Sequence, residues 1–187
     1  KVRILERFAE EARGNGRRNH GEVHVTSQVV GFKKIKFHTN ENVGAGELTM
    51  PENEMHTTAY WLTVPRELMQ ALAFSLEERR DGVVALSYAL GQLAALFLMC
   101  DRHDLGVAIG DNGQGEARIE RGLLRLGAGM GGRRDEPAPG EDYEPNVFVY
   151  DAYPGGIGLS EPLYRLHDRL LAESRSLIAA CPCTDGC

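Results

Sequence analysis

Three cysteines within seven residues are the feature of this sequence most able to bind a metal. Cys181, Cys183 and Cys187 lie in "CPCTDGC", where Pro182 and Gly186 favour the tight turns that wrap a chain around a cation. Thiolates at this spacing suit zinc, which usually takes four ligands. Within the chain, the candidates for a fourth donor are Cys100 and the six histidines. Ordinary free thiols are the alternative interpretation.

Two aspartates form a candidate acidic pair. Asp104 and Asp151 each lie at an end of a predicted strand, and two such carboxylates could hold a divalent cation as nucleases do. The alternative is that they accept hydrogen bonds from loop amides. After Asp151, "YPGGIGLSE" brings Gly155 and Gly156 before a predicted helix, whose N-terminus could hold a phosphate. A sharp turn from strand to helix explains the glycines equally well.

A basic, aromatic stretch near the start could contact nucleic acid. In "GFKKIKFHT", Lys33, Lys34 and Lys36 lie between Phe32 and Phe37, and basic residues interleaved with aromatic ones suit phosphate contact combined with base stacking. A strand with a solvated basic face is the alternative. The first 40 residues carry nine Lys or Arg and four Asp or Glu out of totals of 21 and 27, which leaves 12 against 23 in the acidic remainder. This asymmetry suggests one basic face that can approach phosphate, while the acidic body repels a polyanion.

The motifs of motor and hydrolase active sites are absent from the sequence. No Gly-Lys dipeptide occurs, so there is no phosphate-binding loop of the nucleotide-triphosphatase type. Neither the G-x-S-x-G elbow nor the H-E-x-x-H zinc motif is present. We therefore assign no catalytic residue and expect this chain not to be catalytic by itself.

The hydrophobic pattern predicts an α+β domain that spans residues 1–187. Alternation of apolar and polar residues predicts a β meander over 22–64, and helical spacing predicts helices over 65–100. The segment 111–145 is rich in Gly, Pro and charge, which predicts a flexible insertion. A strand, a helix and the cysteine cluster follow over 146–187. We expect a mainly antiparallel, mixed sheet, extended by pairing of 104–110 with 146–152, against about three helices.

One apolar stretch is long enough to test as a membrane span. Val83–Cys100 carries Ser87, Tyr88, Gly91 and Gln92 in its middle and is bracketed by charge, which favours a buried core helix. We therefore expect no membrane contact. No secretory signal peptide is visible at the start, and the cysteine spacing does not indicate a disulfide framework. These features predict a cytoplasmic location.

Five blocks of sequence, in order, carry a family resemblance. They are "VVGFKKIKFHTNENVGAGEL", "EMHTTAYWLTVP", "LFLMCDRHDLGV", "YDAYPGGIGLSEPLY" and "CPCTDGC". Together they resemble the zinc-binding C-terminal domain of the mitomycin repair factor A family of superfamily 2 DNA helicases. The resemblance covers about Glu22 to Cys187, and 111–145 is its least matched part.

The resemblance implies a zinc motif of the form C-x-C-x3-C-x2-C. Cys181, Cys183 and Cys187 match its first three positions, and the fourth would fall three residues past Cys187. We therefore expect a piece cut just short of its last zinc ligand.

The resemblance also implies an ATP-dependent helicase of 3′-to-5′ polarity that works in DNA repair, such as crosslink removal. ATP and magnesium would bind in motor domains N-terminal to Lys1. This piece would then be an accessory domain that braces the motor domains in cis, contacts single-stranded or forked DNA, or docks partners. A nuclease-like domain that uses Asp104 and Asp151, and a protein-interaction platform, remain the alternatives.

Overall fold

Six strands form a closed barrel in which neighbouring strands are antiparallel. The computed structural model describes residues 1–111, 117–118 and 143–182. Within them the barrel order is β1-β2-β5-β8-β6-β7, and a pairing of Val2 with Ala117 closes it. The strand bounds are Val2–Arg13 (β1), Gly16–Ser27 (β2), Gly31–Ile35 (β3), Asn42–Glu47 (β4), Asn53–Thr63 (β5), Leu105–Asp111 (β6), Ala117–Arg118 (β7) and Pro145–Asp151 (β8).

The sheet begins earlier in the chain than the pattern predicts. β1 and β2 form a long hairpin that closes where Arg13 pairs with Gly16, and Gly14 has a φ of 54° in the tight turn between them. Gly can take this left-handed conformation without the steric cost that a Cβ brings. The strands β2 and β5 of the meander predicted for 22–64 therefore belong to a sheet that starts at Val2.

Strands β3 and β4 leave the barrel and pair only with each other among the described strands. β2 and β5 pair directly with one another, from Arg17 opposite Thr63 to Ser27 opposite Asn53. Residues 28–52 are thus looped out from a continuous ladder, and we call this segment the arm. The strands of the predicted meander are antiparallel, as expected, but two of them lie outside the main sheet.

The barrel interior is filled by alternate residues of its strands, because successive side chains point to opposite faces. Trp61 and Phe148 stack with ring centroids 5.5 Å apart. Tyr150 lies over Gly106, where any side chain would collide with the Tyr150 ring. The buried set is completed by Val2, Val23, Val25, Ala59 and Ala108.

Four helices cover the outer face of the barrel. They are Arg66–Ala71 (α1), Leu76–Leu98 (α2), Ser160–Arg165 (α3) and His167–Ala180 (α4). Leu90, Leu163 and Leu170 pack onto outward-facing Tyr60 and Val149 in a second buried cluster. The α+β class is confirmed, with four helices in place of about three.

The long helix α2 begins earlier than the sequence interpretation placed it. The apolar pattern predicted a core helix from Val83, but the Ser75 side chain accepts the Glu78 N–H while the Glu78 side chain accepts the Ser75 N–H. This capping box starts the helix before the charged residues. α2 is long and apolar enough to cross a membrane, but core helices of soluble proteins meet the same criterion. In this fold, 33% of its most apolar 18-residue stretch is buried.

The segment after the insertion differs in one respect from the prediction. As expected, β6 and β8 are paired, with Leu105 opposite Asp151. The single helix predicted to run to Ala180 is instead two helices, α3 and α4, separated at Leu166, whose φ of −85° and ψ of 5° depart from helical values. Of the predicted flexible insertion, residues 112–116 and 119–142 lie outside the described residues.

Candidate functional site

The structure describes the first of the three clustered cysteines. Cys181 follows the last residue of α4 on extended backbone, with a φ of −68° and a ψ of 122°, and its N–H donates to the Ile178 carbonyl. Its side chain is half-buried. Cys183 and Cys187 lie outside the described residues. A thiol just beyond a helix end, followed by two more thiols within six residues, is a donor set that fits zinc.

Cys100 lies near the start of α4, whereas Cys181 follows its end. Cys100 follows the end of α2, where Phe97 lies under the guanidinium of Arg169 at 4.7 Å. The twelve residues of α4 from Arg169 to Ala180 rise about 18 Å, at 1.5 Å for each residue, before the chain reaches Cys181. Over residues 1–111 and 143–182, no three His, Cys, Asp or Glu side chains are grouped so that they could hold a metal ion.

Asp151 is fully buried and accepts hydrogen bonds at the start of α3. Its Oδ2 atom accepts the backbone N–H groups of Ile157, Gly158 and Leu159 at 2.7, 2.9 and 3.1 Å, and the Thr58 hydroxyl at 3.4 Å. The chain therefore places its own carboxylate where the sequence analysis considered a phosphate. The Asp151 carboxylate thus satisfies the backbone N–H groups that precede α3, and its negative charge is favourable at a helix N-terminus.

The two glycines of the candidate phosphate loop already use their N–H groups. Gly155 donates to the His56 carbonyl at 2.7 Å, and Gly156 donates to the Tyr153 carbonyl at 3.0 Å. Gly156 has a φ of 75°, and a Cβ there would collide with Thr58. Both glycines therefore anchor the connection from β8 to α3 against β5.

Asp104 and Asp151 lie at the same end of the β6–β8 ladder, as predicted, but belong to separate hydrogen-bond networks. The Asp104 carboxylate accepts the Tyr153 hydroxyl at 2.6 Å and the Asp101 N–H at 2.9 Å. Its backbone carbonyl accepts the Ala152 N–H at 2.8 Å. Each carboxylate thus accepts hydrogen bonds from the protein, which is the alternative that the sequence left open.

The predicted basic residues lie together on the arm. Lys33, Lys34 and Lys36 are exposed, and no residue of β3 is buried. Lys36 forms an exposed ion pair with Glu41 at 3.2 Å, and Lys34 lies 5.8 Å from the centre of the Phe32 ring. An isolated two-stranded hairpin is marginally stable in water. A partner that covers the arm would therefore add to its stability.

A buried polar pair between barrel and helix was not predicted. The Tyr60 hydroxyl lies 2.7 Å from Nδ1 of His167, and both side chains are buried. Burial lowers the pKa of His167 and raises that of Tyr60. The sequence carries no signal for this contact, because the two residues are 107 positions apart.

The chain is similar over its whole length to a relative known from its sequence and to a solved structure. A crystal structure of the DUF1998 helicase MrfA bound to DNA matches all of it with a TM-score of 0.64 and 28% identity, over 21% of that chain. An uncharacterized ATP-dependent helicase, YprA of Bacillus subtilis (strain 168), is 29% identical over 186 residues, which is 21% of its length. A second crystal structure of the DUF1998 helicase MrfA shares the fold, with a TM-score of 0.54 and 24% identity.

A shorter match covers 41 residues of this chain at 44% identity, to the uncharacterized protein MJ1572.1 of Methanocaldococcus jannaschii. The chain spans about a fifth of the length of the helicases that it matches (21%). The chain is thus similar to one domain of the DUF1998 helicase MrfA. It belongs to the family described as the MrfA Zn-binding domain, whose model matches residues 86–187.

Proposed function

We propose that this chain is the C-terminal accessory domain of an ATP-dependent 3′-to-5′ DNA helicase that works in DNA repair in the cytoplasm. The domain is not catalytic itself; ATP and magnesium bind in the motor domains, which this domain braces in cis. The observation that carries the proposal is the similarity of the entire chain to a helicase whose crystal structure contains DNA, at 28% identity.

In this proposal, Cys181, Cys183 and Cys187 hold a structural zinc ion together with one further donor. A closed thiolate site contributes folding free energy and not reactivity. Its effect on this chain is to fix the segment beyond α4, which leaves the helix at Cys181. The donor set supports this role, because thiolates so close in sequence can wrap one cation.

The arm is the surface that we propose contacts single-stranded DNA. Three of the four lysines of the chain are Lys33, Lys34 and Lys36, and no lysine follows them. Residues 41–187 carry 12 Lys or Arg against 23 Asp or Glu and repel a polyanion, so DNA contact is favoured in the basic first 40 residues, where these three lysines lie. Lys33 has no ion-pair partner among the residues that the structure describes, which leaves its charge available to a phosphate.

Charge reversal on the arm tests the proposal. Binding of fluorescein-labelled oligo-dT is measured by anisotropy as a function of salt, for the wild type and for Lys33→Glu/Lys34→Glu/Lys36→Glu. Loss of three phosphate contacts should weaken binding and reduce the logarithmic salt slope by about 2. Arg80→Glu/Arg102→Glu/Arg175→Glu is the matched control, since it makes the same charge change at exposed residues outside the arm.

Two results would contradict the proposed DNA-binding role. If the wild type fails to bind oligo-dT even at low salt, and the arm variant changes nothing, a protein-interaction platform replaces the DNA-binding role. If labelled DNA is cleaved with magnesium or manganese, and Asp104→Asn abolishes the cleavage while circular dichroism shows that this variant is folded, the nuclease alternative replaces it.

A further inference from the structure

The tip of the arm presents one aromatic ring almost fully to solvent. Phe37 is 87% exposed, more than any other aromatic side chain among the exposed large hydrophobic residues of the described chain. Exposing a phenyl ring of this size forgoes about 2 kcal/mol or more of burial free energy. A ring that is held in water at the end of a projecting hairpin therefore suggests a partner.

The turn that carries Phe37 is hydrogen-bonded. The Lys36 N–H donates to the Glu41 carbonyl at 2.8 Å, and the Asn40 N–H donates to the Lys36 carbonyl at 3.1 Å. His38 and Asn40 take positive φ values of 76° and 53° to close the tip. The His38 ring makes a nearly perpendicular contact with Phe37 at 4.7 Å. The turn thus holds the ring outward while leaving most of its surface free.

Phe32, the other aromatic residue of the arm, is placed differently. Its ring lies across Gly46 on the neighbouring strand, where any side chain would collide with it. The Lys34 ammonium lies 5.8 Å from the centre of the same ring, and Phe32 is 42% exposed. Phe32 therefore packs within the arm, whereas Phe37 contributes little packing to it.

Positive charge adjoins the exposed ring. Lys36 precedes Phe37 directly, and its ion pair with Glu41 is exposed on both sides, so it contributes at most about 1 kcal/mol. Lys36 can therefore exchange this carboxylate for a phosphate at little cost. Cationic and aromatic groups on consecutive residues match the alternation of phosphate and base along a nucleic acid strand.

We propose that Phe37 stacks on an unpaired base of single-stranded DNA while Lys36 contacts an adjoining phosphate. The inference rests on the proposed function and assigns the base contact to one residue. Stacking needs a base whose face is free, so the tip favours single strands over duplex DNA. Every base has such a face, so the contact tolerates any sequence.

Removal of the ring tests the inference. Phe37→Ala should weaken binding of oligo-dT by about tenfold, the effect of losing one base–aromatic stack. The salt slope should not change, because no phosphate contact is lost, and binding of duplex DNA should change much less. Leu96→Ala is the matched control, since it removes an apolar side chain that is 67% exposed on α2, away from the arm.

A spectroscopic variant gives an independent measurement. Trp61 is the only tryptophan and is fully buried in the barrel. In Phe37→Trp, quenching of tryptophan emission by oligo-dT therefore reports on residue 37. We expect near wild-type affinity and saturable quenching in this variant, and no quenching in the wild type.

The outcomes separate the inference from the proposed function. If Phe37→Ala binds like the wild type while the triple lysine variant does not bind, the stacking inference is overturned and the DNA-binding role remains. If neither variant alters binding, both fail. If Phe37→Ala instead abolishes self-association in sedimentation experiments and leaves DNA binding intact, the tip contacts a second copy of this chain and the inference is wrong.

Discussion

The Tyr60 hydroxyl and Nδ1 of His167 form a 2.7 Å hydrogen bond that joins strand β5 to the first residue of helix α4. Neither group has water as an alternative partner, because both side chains are buried. The bond therefore fixes α4, and with it the position from which the chain continues toward the cysteine cluster.

Removing one partner of this bond should destabilise the domain. Tyr60→Phe leaves the His167 ring nitrogen buried without its partner, which costs about 1–3 kcal/mol in free energy of unfolding. Urea unfolding followed by circular dichroism measures the change. Tyr153→Phe is the control, since it removes an exposed hydroxyl that donates to Asp104. An equal loss of unfolding free energy in both variants would show that burial does not increase the contribution of the Tyr60–His167 hydrogen bond.

Acid should destabilise the fold through the same histidine. Burial lowers the pKa of His167 below its ordinary value of 6.5, so the unfolded chain takes up a proton more readily than the folded chain. The contribution of His167 is complete above pH 6.5 and is lost as the pH falls below it. We expect the melting temperature to fall between about pH 6.5 and 5, and to fall less in His167→Gln.

A residual pH dependence should remain in that variant, because burial also lowers the pKa of His20. His103→Gln serves as the control, since His103 is exposed. A melting temperature that is independent of pH in the wild type would show that neither the buried His167 nor the half-buried His20 resists protonation.

Asp151 should matter for folding more than for any reaction. Asp151→Asn replaces the carboxylate that accepts three backbone N–H groups with a neutral acceptor. Hydrogen bonds to charged groups contribute about 1.5–3 kcal/mol each and neutral ones about 0.5–1.5, so we expect a loss of several kcal/mol. Asp104→Asn should cost less, since Asp104 is more accessible to water. Urea unfolding compares the two variants, and equal losses would mean that burial of Asp151 contributes little.

Zinc content should depend on Cys181 and not on Cys100. Elemental analysis of Cys181→Ser should show less zinc per chain than the wild type, whereas Cys100→Ser should match it, because α4 carries Cys181 away from the end of α2. A chain lengthened to supply a cysteine three residues past Cys187 should approach one zinc per chain. No zinc in the wild type or the lengthened chain would show that the cysteines are ordinary thiols.

Local pattern allowed part of this fold to be predicted. The pairing of β6 with β8 followed from two short apolar strands on either side of a polar insertion, and the exposed, basic character of β3 followed from the lysines clustered in its sequence. The break at Leu166 and the contact between Tyr60 and His167 carry no local signal, since they arise from packing of α3 and α4 on the barrel.

The role of Asp151 illustrates the same limit. Its type and position at a strand end are equally compatible with a metal ligand and with an internal cap. Because Gly155, Gly156 and Gly158 take positive φ values, the chain turns back so that the N–H groups of residues 157–159 face the carboxylate. A glycine-rich sequence permits that conformation without specifying it.

The arm is inserted between two residues that are already partners, since Ser27 and Asn53 face each other at the end of the β2–β5 ladder. A short turn could join them and leave every barrel strand in register. Insertions, deletions and substitutions over residues 28–52 are therefore uncoupled from the core that folds the domain. Evolution can rebuild this segment as a separate module, changing what the protein touches while the scaffold stays the same.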